Sequence, residues 1–303
     1  MFDTGEIRAL VAAHGRVARV VVAGVKGSAP REVGASMFVW KTGQTGTIGG
    51  GALEYSAAKS ARAGLENAGP VVSRVPLGPA MNQCCGGAVT LVSEVYDAAT
   101  IGSISGPSFA RRVEGSAEMP GQMARIIARS GAMKQPVPTM FSGGWLLEPT
   151  ISTAQPVVIY GAGHVGLALN MILSPLPDFD VTLADDREID GDHKVIPVET
   201  ALNTAAPNAH HLVMTHAHDL DLAICHKVLS RPFGMLGLIG SATKWARFRT
   251  RLVGLGHSAE QVARINCPIG EPAFGKHPQA VALGVATELL TRAKTQTTTR
   301  EAV

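Results

Sequence analysis

The apolar positions of this chain change rhythm along its length. Residues 19–25 are rich in valine and read as a buried strand, and residues 35–40 as a second one. Turn-forming stretches, residues 26–34 and 41–44, follow them. Over residues 53–67, Leu53, Ala57, Ala61 and Leu65 recur four apart, which predicts a helix. Residues 71–75 and 88–95 read as strands flanking the Cys84-Cys85 loop. Together these elements predict a small α+β domain over residues 1–100. Residues 101–154 carry a weaker signal and read as a connecting region, with a loop at 102–107 and short strands at 123–128 and 145–147. The second half alternates. Strands are predicted at 156–160, 179–183, 195–198, 211–215 and 235–239, and helices at 165–173, 220–229, 244–253 and 278–291. That alternation predicts an α/β domain over residues 155–295, a Rossmann-like parallel sheet with helices on both faces. Residues 296–303 are a polar tail.

Composition narrows the function classes. The 303 residues are 46% hydrophobic, enough for more than one core. The net charge of +3 is spread without a basic tail, which argues against nucleic acid as a partner. The start, Met1-Phe2-Asp3-Thr4-Gly5-Glu6, lacks the basic and apolar segments of a secretion signal. No apolar run approaches the roughly 20 residues of a membrane span. Cys84, Cys85, Cys225 and Cys267 show neither CxxC spacing nor the density of a disulfide framework. A cytoplasmic location is expected.

The sharpest motif is Gly161-Ala162-Gly163-His164-Val165-Gly166, set between a buried strand and a helix. Glycine lets such a turn approach a phosphate, and the helix start offers free N–H groups and a positive dipole end. Asp185 and Asp186 end the next strand, about 20 residues on, where an acid can bind a ribose hydroxyl. The segments holding His216 and His218, and Ser241 with Lys244, follow later strands. They should converge on the same crevice, with Lys244 and Arg247 available to phosphate. His216-Ala217-His218-Asp219-Leu220-Asp221 nearly matches a dinuclear-metal motif, but Leu222 stands where the last histidine is needed. The plainer reading makes Asp219 a helix cap and His218 a crevice residue.

The first half carries softer signals. Cys84-Cys85 lies between Asn82-Gln83 and Gly86-Gly87, a setting more like a ligand loop than a core strand. A reactive thiolate and a buried pair of small hydrophobes both remain open. Ser28 and Arg31 offer a hydroxyl and a guanidinium suited to phosphate. Gly49, Gly50 and Gly51 precede a helix and form a second anion-ready start. Glu54, one turn in, can complement the helix dipole or bind a guanidine-like ring edge.

Taken in order, Gly27-Ser28-Ala29-Pro30-Arg31, Ile48-Gly49-Gly50-Gly51 with Glu54, Cys84-Cys85-Gly86-Gly87, the Gly161–Gly166 turn, Thr215-His216-Ala217-His218-Asp219 and Ile239-Gly240-Ser241 resemble the XdhC/CoxI family, accessory proteins of xanthine dehydrogenase and related molybdenum hydroxylases. The segment Ile269–Lys276 and the following His277-Pro278-Gln279 depart from the family pattern by lacking its paired acids. The resemblance implies a carrier rather than a turnover enzyme. Such a carrier binds molybdenum cofactor (molybdopterin), protects its sulfurated form and delivers it to apo-xanthine dehydrogenase. A cysteine desulfurase, a molybdopterin nucleotidyltransferase and a second copy of the chain are the other implied partners. Under it the cofactor-binding residues are Ser28, Arg31, Gly49, Gly50, Gly51, Glu54, Cys84, Cys85, Gly161, Gly163, His164, Gly166, Asp185, Asp186, His216, His218, Ser241 and Lys244, with Cys85 near molybdenum. The competing classes are an NAD(P)-dependent oxidoreductase using the second half, a metal-dependent hydrolase using His216, His218 and Asp221, and an assembly factor that binds no cofactor.

Overall fold

The computed structural model describes residues 2–67, 69–78, 86–102, 104–133, 137–150 and 154–301, with side chains described to residue 293 in the last helix. The chain divides into two compact units, Met1–Thr153 and Ala154–Val303. Cys84 and Cys85 lie outside the described residues.

The N-terminal unit begins with α1 (Thr4–His14), which the hydrophobic pattern did not single out. Its start is fixed by Asp3, whose carboxylate accepts from the Gly5 and Glu6 N–H groups. The strands β1 (Val17–Lys26), β2 (Ser36–Val39), β3 (Gln44–Gly46), β4 (Val71–Pro76) and β5 (Ala88–Tyr96) form one antiparallel sheet in the order β3-β2-β1-β5-β4. β1 is the central strand and is buried on both faces, which explains its run of valines. Ala18, Val20 and Val22 pack with α2 (Gly51–Ala63) through Leu53, Ala58 and Ala61. The other face meets α1, α3 (Ala98–Gly102) and a second, three-stranded sheet, β6 (Ser108–Arg112), β7 (Met140–Ser142) and β8 (Trp145–Pro149).

The strand expected at residues 123–128 is instead part of α4 (Gly121–Met133). Met123, Ile126 and Ile127 stand at helical spacing and share one apolar cluster with Leu147 of β8.

In the C-terminal unit, β9 (Gln155–Tyr160), β10 (Phe179–Ala184), β11 (Val195–Ile196), β12 (His210–Val213), β13 (Met235–Leu238) and β14 (Ile265–Asn266) form a six-stranded sheet in the order β11-β10-β9-β12-β13-β14. Every pairing is parallel. Numbered within the unit this order is 3-2-1-4-5-6, the doubly wound nucleotide-binding arrangement, with its switch point between β9 and β12. β9 shows how sequence sets the two layers. Val157 and Ile159 pack with α5 (His164–Leu173) and α10 (Pro278–Glu301). Val158 and Tyr160 pack on the opposite face, with α6 (Val198–Thr204), α7 (His218–Leu229), α8 (Ala242–Gly254) and α9 (Ala259–Ala263).

The strand expected at 195–198 stops after two residues. Pro197 has no N–H for the ladder and becomes the N-cap of α6 instead. Among the described residues, no helix is long and apolar enough to cross a membrane.

Candidate functional site

The three glycines of the first turn in the C-terminal unit have different tasks. Gly161 holds φ +111°, and a Cβ there would lie 2.5 Å from the Met214 carbonyl oxygen. A Cβ on Gly166 would lie 1.8 Å from the Gly161 carbonyl oxygen, so α5 packs directly on the turn. Gly163 caps α5 at an ordinary φ of −80°, and a Cβ there meets nothing within 4 Å. Two glycines therefore build the turn and the third keeps its mouth open.

That mouth leads into a crevice of about 580 Å³ at the carboxyl ends of β9, β12 and β13. Gly163, His164 and Gly166 line it from the start of α5. Thr215, His216 and His218 line it from the start of α7, and Ser241 and Lys244 from the start of α8. Arg187, after β10, and Pro278, at the start of α10, complete this ring. Among the described residues, no Asp or Glu lines it. Four helices thus turn their N-terminal ends toward one cavity. α5 and α7 have no side-chain cap, so a ligand can take up their free N–H groups. Arg247, expected beside Lys244, is not a lining residue.

The acids of this unit sit behind the cavity wall. Asp221 is fully buried in α7. Its Oδ1 accepts from the Thr215 N–H at 2.9 Å and the Thr215 hydroxyl at 2.7 Å, and its Oδ2 from the Lys244 ammonium at 2.5 Å. Lys244 also donates to the Ile239 carbonyl at 2.9 Å. Asp221 thereby ties the β12 loop, α7 and α8 together, a role the sequence reading missed. The available signal was an acid on the apolar stripe of α7, beside Leu222, Cys225 and Val228. Asp219 is not the cap expected of it. The N-cap of α7 is Ala217, and Asp219 pairs with Arg251 at 2.9 Å. The dinuclear-metal reading needs Asp221 free, and both its oxygens are engaged. Among the described residues no three metal-ligating side chains come together.

Asp185 accepts from the Ala162 N–H at 2.7 Å, from the Arg187 N–H at 3.0 Å and from two nitrogens of the Arg187 guanidinium at 2.9 and 2.7 Å. The hydrogen bonds from Arg187, then those from the backbone, hold its carboxyl well below the usual range. Asp186 accepts from the Val198 N–H at 2.9 Å and so anchors the start of α6. Ser241 caps α8 through the Lys244 N–H.

The N-terminal unit gathers a second group of the expected residues where β1 ends and β5 begins. Gly49, Gly50 and Gly51 all hold positive φ, at +124°, +72° and +62°. A Cβ on Gly49 would strike Pro30 at 2.4 Å, and one on Gly87 would strike the Ser28 carbonyl at 2.2 Å. The Ser28–Arg31 loop thus lies against Gly49 through the Pro30 side chain and against Gly87 through the Ser28 backbone. Glu54 reaches back to the glycine loop. Its Oε2 accepts from the Thr47 hydroxyl at 2.5 Å and from the Ile48 and Gly50 N–H groups at 3.0 and 3.2 Å. Burial would raise its pKa, but the Thr47 hydroxyl and these N–H groups outweigh it and keep it lowered. Arg31 makes longer contacts, to Glu32 at 3.3 Å and the Thr47 carbonyl at 3.5 Å. A separate apolar groove of about 140 Å³ runs between α2 and strands β4 and β5, bordered by Ser60, Val75 and Leu91 among others. Nothing in the hydrophobic pattern pointed to it.

The C-terminal unit is thus a nucleotide-type fold whose switch-point crevice is ringed by helix N-termini, preceded in the chain by an antiparallel α+β unit. Family comparison agrees with that class. Residues 157–289 match the XdhC Rossmann domain, and residues 10–76 match the XdhC and CoxI family. The chain belongs to the XdhC and CoxI family. It is 26% identical over 211 residues to the uncharacterized protein YqeB of Escherichia coli K12. That match covers 64% of this chain and 38% of the relative, so the chain corresponds to well under half of that protein's length. A crystal structure from Bacillus halodurans, described as a xanthine dehydrogenase, shares the fold with a TM-score of 0.70 at 18% identity, over 97% of this chain and 96% of the other.

Proposed function

We propose that this chain is an assembly factor for xanthine dehydrogenase that carries molybdenum cofactor and places it in the apo-enzyme. The supporting observation is the crevice of the C-terminal unit, which offers Lys244, three histidines and uncapped helix starts but, among the described residues, no lining carboxylate. Such a donor set suits the phosphate of a molybdopterin. Gly163 leaves the room a phosphate needs, because nothing stands within 4 Å of the Cβ position. The cofactor supplies a redox-active metal held by its own dithiolene.

The chain's part is to bind, orient and exclude water. The α5 and α7 N–H groups and Lys244 hold the phosphate, while His164, His216 and His218 border it. Ser241 and Asp221 fix α8 so that Lys244 faces the anion. Asp185 and Asp186 act indirectly, the first by holding the glycine turn and the second by holding α6. In the N-terminal unit, the loops of Ser28 and Arg31 and of Gly49–Gly51, held by Glu54, form the second contact region. Cys84 and Cys85 are assigned to the metal side of the cofactor, with Cys85 near molybdenum. A water-excluding site protects a labile sulfido ligand from hydrolysis. Apo-xanthine dehydrogenase is the recipient in this reading, with a cysteine desulfurase, a molybdopterin nucleotidyltransferase and a second copy of the chain as further partners.

The test is anaerobic. The full chain is mixed with released cofactor and passed through gel filtration, and bound pterin is read by fluorescence after oxidation. Co-elution is expected. Elution of all pterin free of protein would contradict the proposal.

A further inference from the structure

We infer that Arg187 is a latch that closes the ribose subsite of the crevice and so reserves it for phosphate ligands that are not dinucleotides. In this strand order a dinucleotide lays its adenosine ribose against the acid at the end of the second strand. That acid is Asp185, at the end of β10. A carboxylate has about four acceptor positions. Asp185 fills two on each oxygen: Oδ1 with the Arg187 N–H and Nε–H, and Oδ2 with the Ala162 N–H and an Arg187 Nη2–H. No acceptor remains for a ribose diol. Two of the four bonds come from the Arg187 guanidinium, which lines the crevice.

The two ends of the crevice therefore differ. At the helix starts, the uncapped N–H groups of α5 and α7 are open to an anion, and Lys244, held by Asp221 and the Ile239 carbonyl, lines the crevice beside them. At the β10 end, a buried carboxylate is neutralised by its own neighbour in the chain. Removing the guanidinium would leave Asp185 still anchored by the Ala162 and Arg187 backbone N–H groups, with two acceptor positions open. The subsite is thus formed and covered. A 2′-phosphorylated ribose gains nothing from the latch, because Asp185 offsets the charge of Arg187 and would repel the phosphate once Arg187 is gone. The inference deepens the carrier reading and rests on its claim that phosphate binds at the helix starts. It explains how a fold shaped for dinucleotides serves a smaller phosphate ligand.

The experiment uses the full chain free of pterin. NADH and NADPH are titrated by their fluorescence, and inorganic pyrophosphate by calorimetry, against the wild type, Arg187→Ala and Arg187→Lys. The wild type should bind pyrophosphate and bind both nucleotides weakly. Arg187→Ala should gain about tenfold or more in NADH affinity, the scale of charge-assisted hydrogen bonds made available, with little change for NADPH or pyrophosphate. Arg187→Lys, which keeps the cation beside Asp185, should stay near the wild type and guards against a folding artefact. Equal NADH affinity in the wild type and a folded Arg187→Ala protein would overturn the latch. Tight NADPH binding by the wild type would also overturn it, by making Arg187 a 2′-phosphate site. Absence of pyrophosphate binding would instead overturn the phosphate reading beneath it, a failure separate from that of the nucleotide arms.

Discussion

Gly166 and Gly163 look equivalent in the motif, and the structure separates them. A Cβ at 166 meets the Gly161 carbonyl at 1.8 Å, whereas one at 163 meets open crevice. Gly166→Ala should therefore lose about 3 kcal/mol or more of stability, as a backbone collision in a packed site does. Gly163→Val should melt near the wild type yet lose phosphate-ligand binding, because the branch fills the mouth. Thermal melts paired with pyrophosphate titration distinguish the two. Asp221→Ala leaves Lys244, whose side chain is only 10% exposed, beside no counter-charge. It should cost about 3–5 kcal/mol in urea unfolding. The motif was legible because glycine spacing is a local constraint. Asp221 was not, because its partners Thr215 and Lys244 come from other elements. Cys84 and Cys85, the most suggestive pair in the first half, lie outside the described residues.

At the scale of elements, strands buried on both faces were the most readable. β1 and β9 announce themselves as continuous apolar runs, and α2, α5, α7 and α8 by their periodicity. Short elements were not readable: β14 is two residues long, and α6 begins inside what looked like a strand. The larger surprise is polar. Arg19, in the central strand β1, is buried and forms a two-pronged pair with the equally buried Glu148 of β8, at 2.9 and 2.8 Å. Arg111 of β6 bridges Glu148 at 2.7 Å and also pairs with Glu94 of β5. These charges join the two sheets of the N-terminal unit. Burial pushes the Glu148 pKa up, but Arg19 and then Arg111 outweigh it and bring it down to about 2. Glu148→Gln should destabilise the protein by about 3–5 kcal/mol, because it removes the buried negative charge that the Arg19 and Arg111 guanidiniums share.

The sign of the pH dependence follows from the same groups. Glu148 has a folded pKa below the 4.5 of a free glutamate, so its contribution is present above pH 4.5 and fades as pH falls toward 2. His210 and His211 of β12 are lowered by burial from 6.5 to about 4, and Tyr160 shares a hydrogen bond with His211 at 2.9 Å. Folding keeps both histidines neutral. Their contribution is complete above pH 6.5 and declines between 6.5 and 4 as the unfolded chain takes up protons first. Urea midpoints should therefore fall from pH 7 to pH 5, and His210→Phe should flatten that fall. An unchanged slope would show that His210 takes no part in it.

For the whole molecule, the class of each unit was readable from alternation and motif order, and the comparisons place the chain in the XdhC and CoxI family. What the hydrophobic pattern alone did not reveal was the character of the crevice. That no carboxylate lines it among the described residues follows from where Asp185, Asp186 and Asp221 direct their hydrogen bonds, which sequence order does not state. The central claim is that the chain carries molybdenum cofactor to a recipient enzyme. The most direct measurement is anaerobic reconstitution of apo-xanthine dehydrogenase with released cofactor, with and without this chain, read as xanthine oxidation. The account predicts that the wild-type chain raises recovered activity above free cofactor alone, and that folded Gly163→Val does not. Equal recovery with and without the wild-type chain, at matched cofactor, would contradict it.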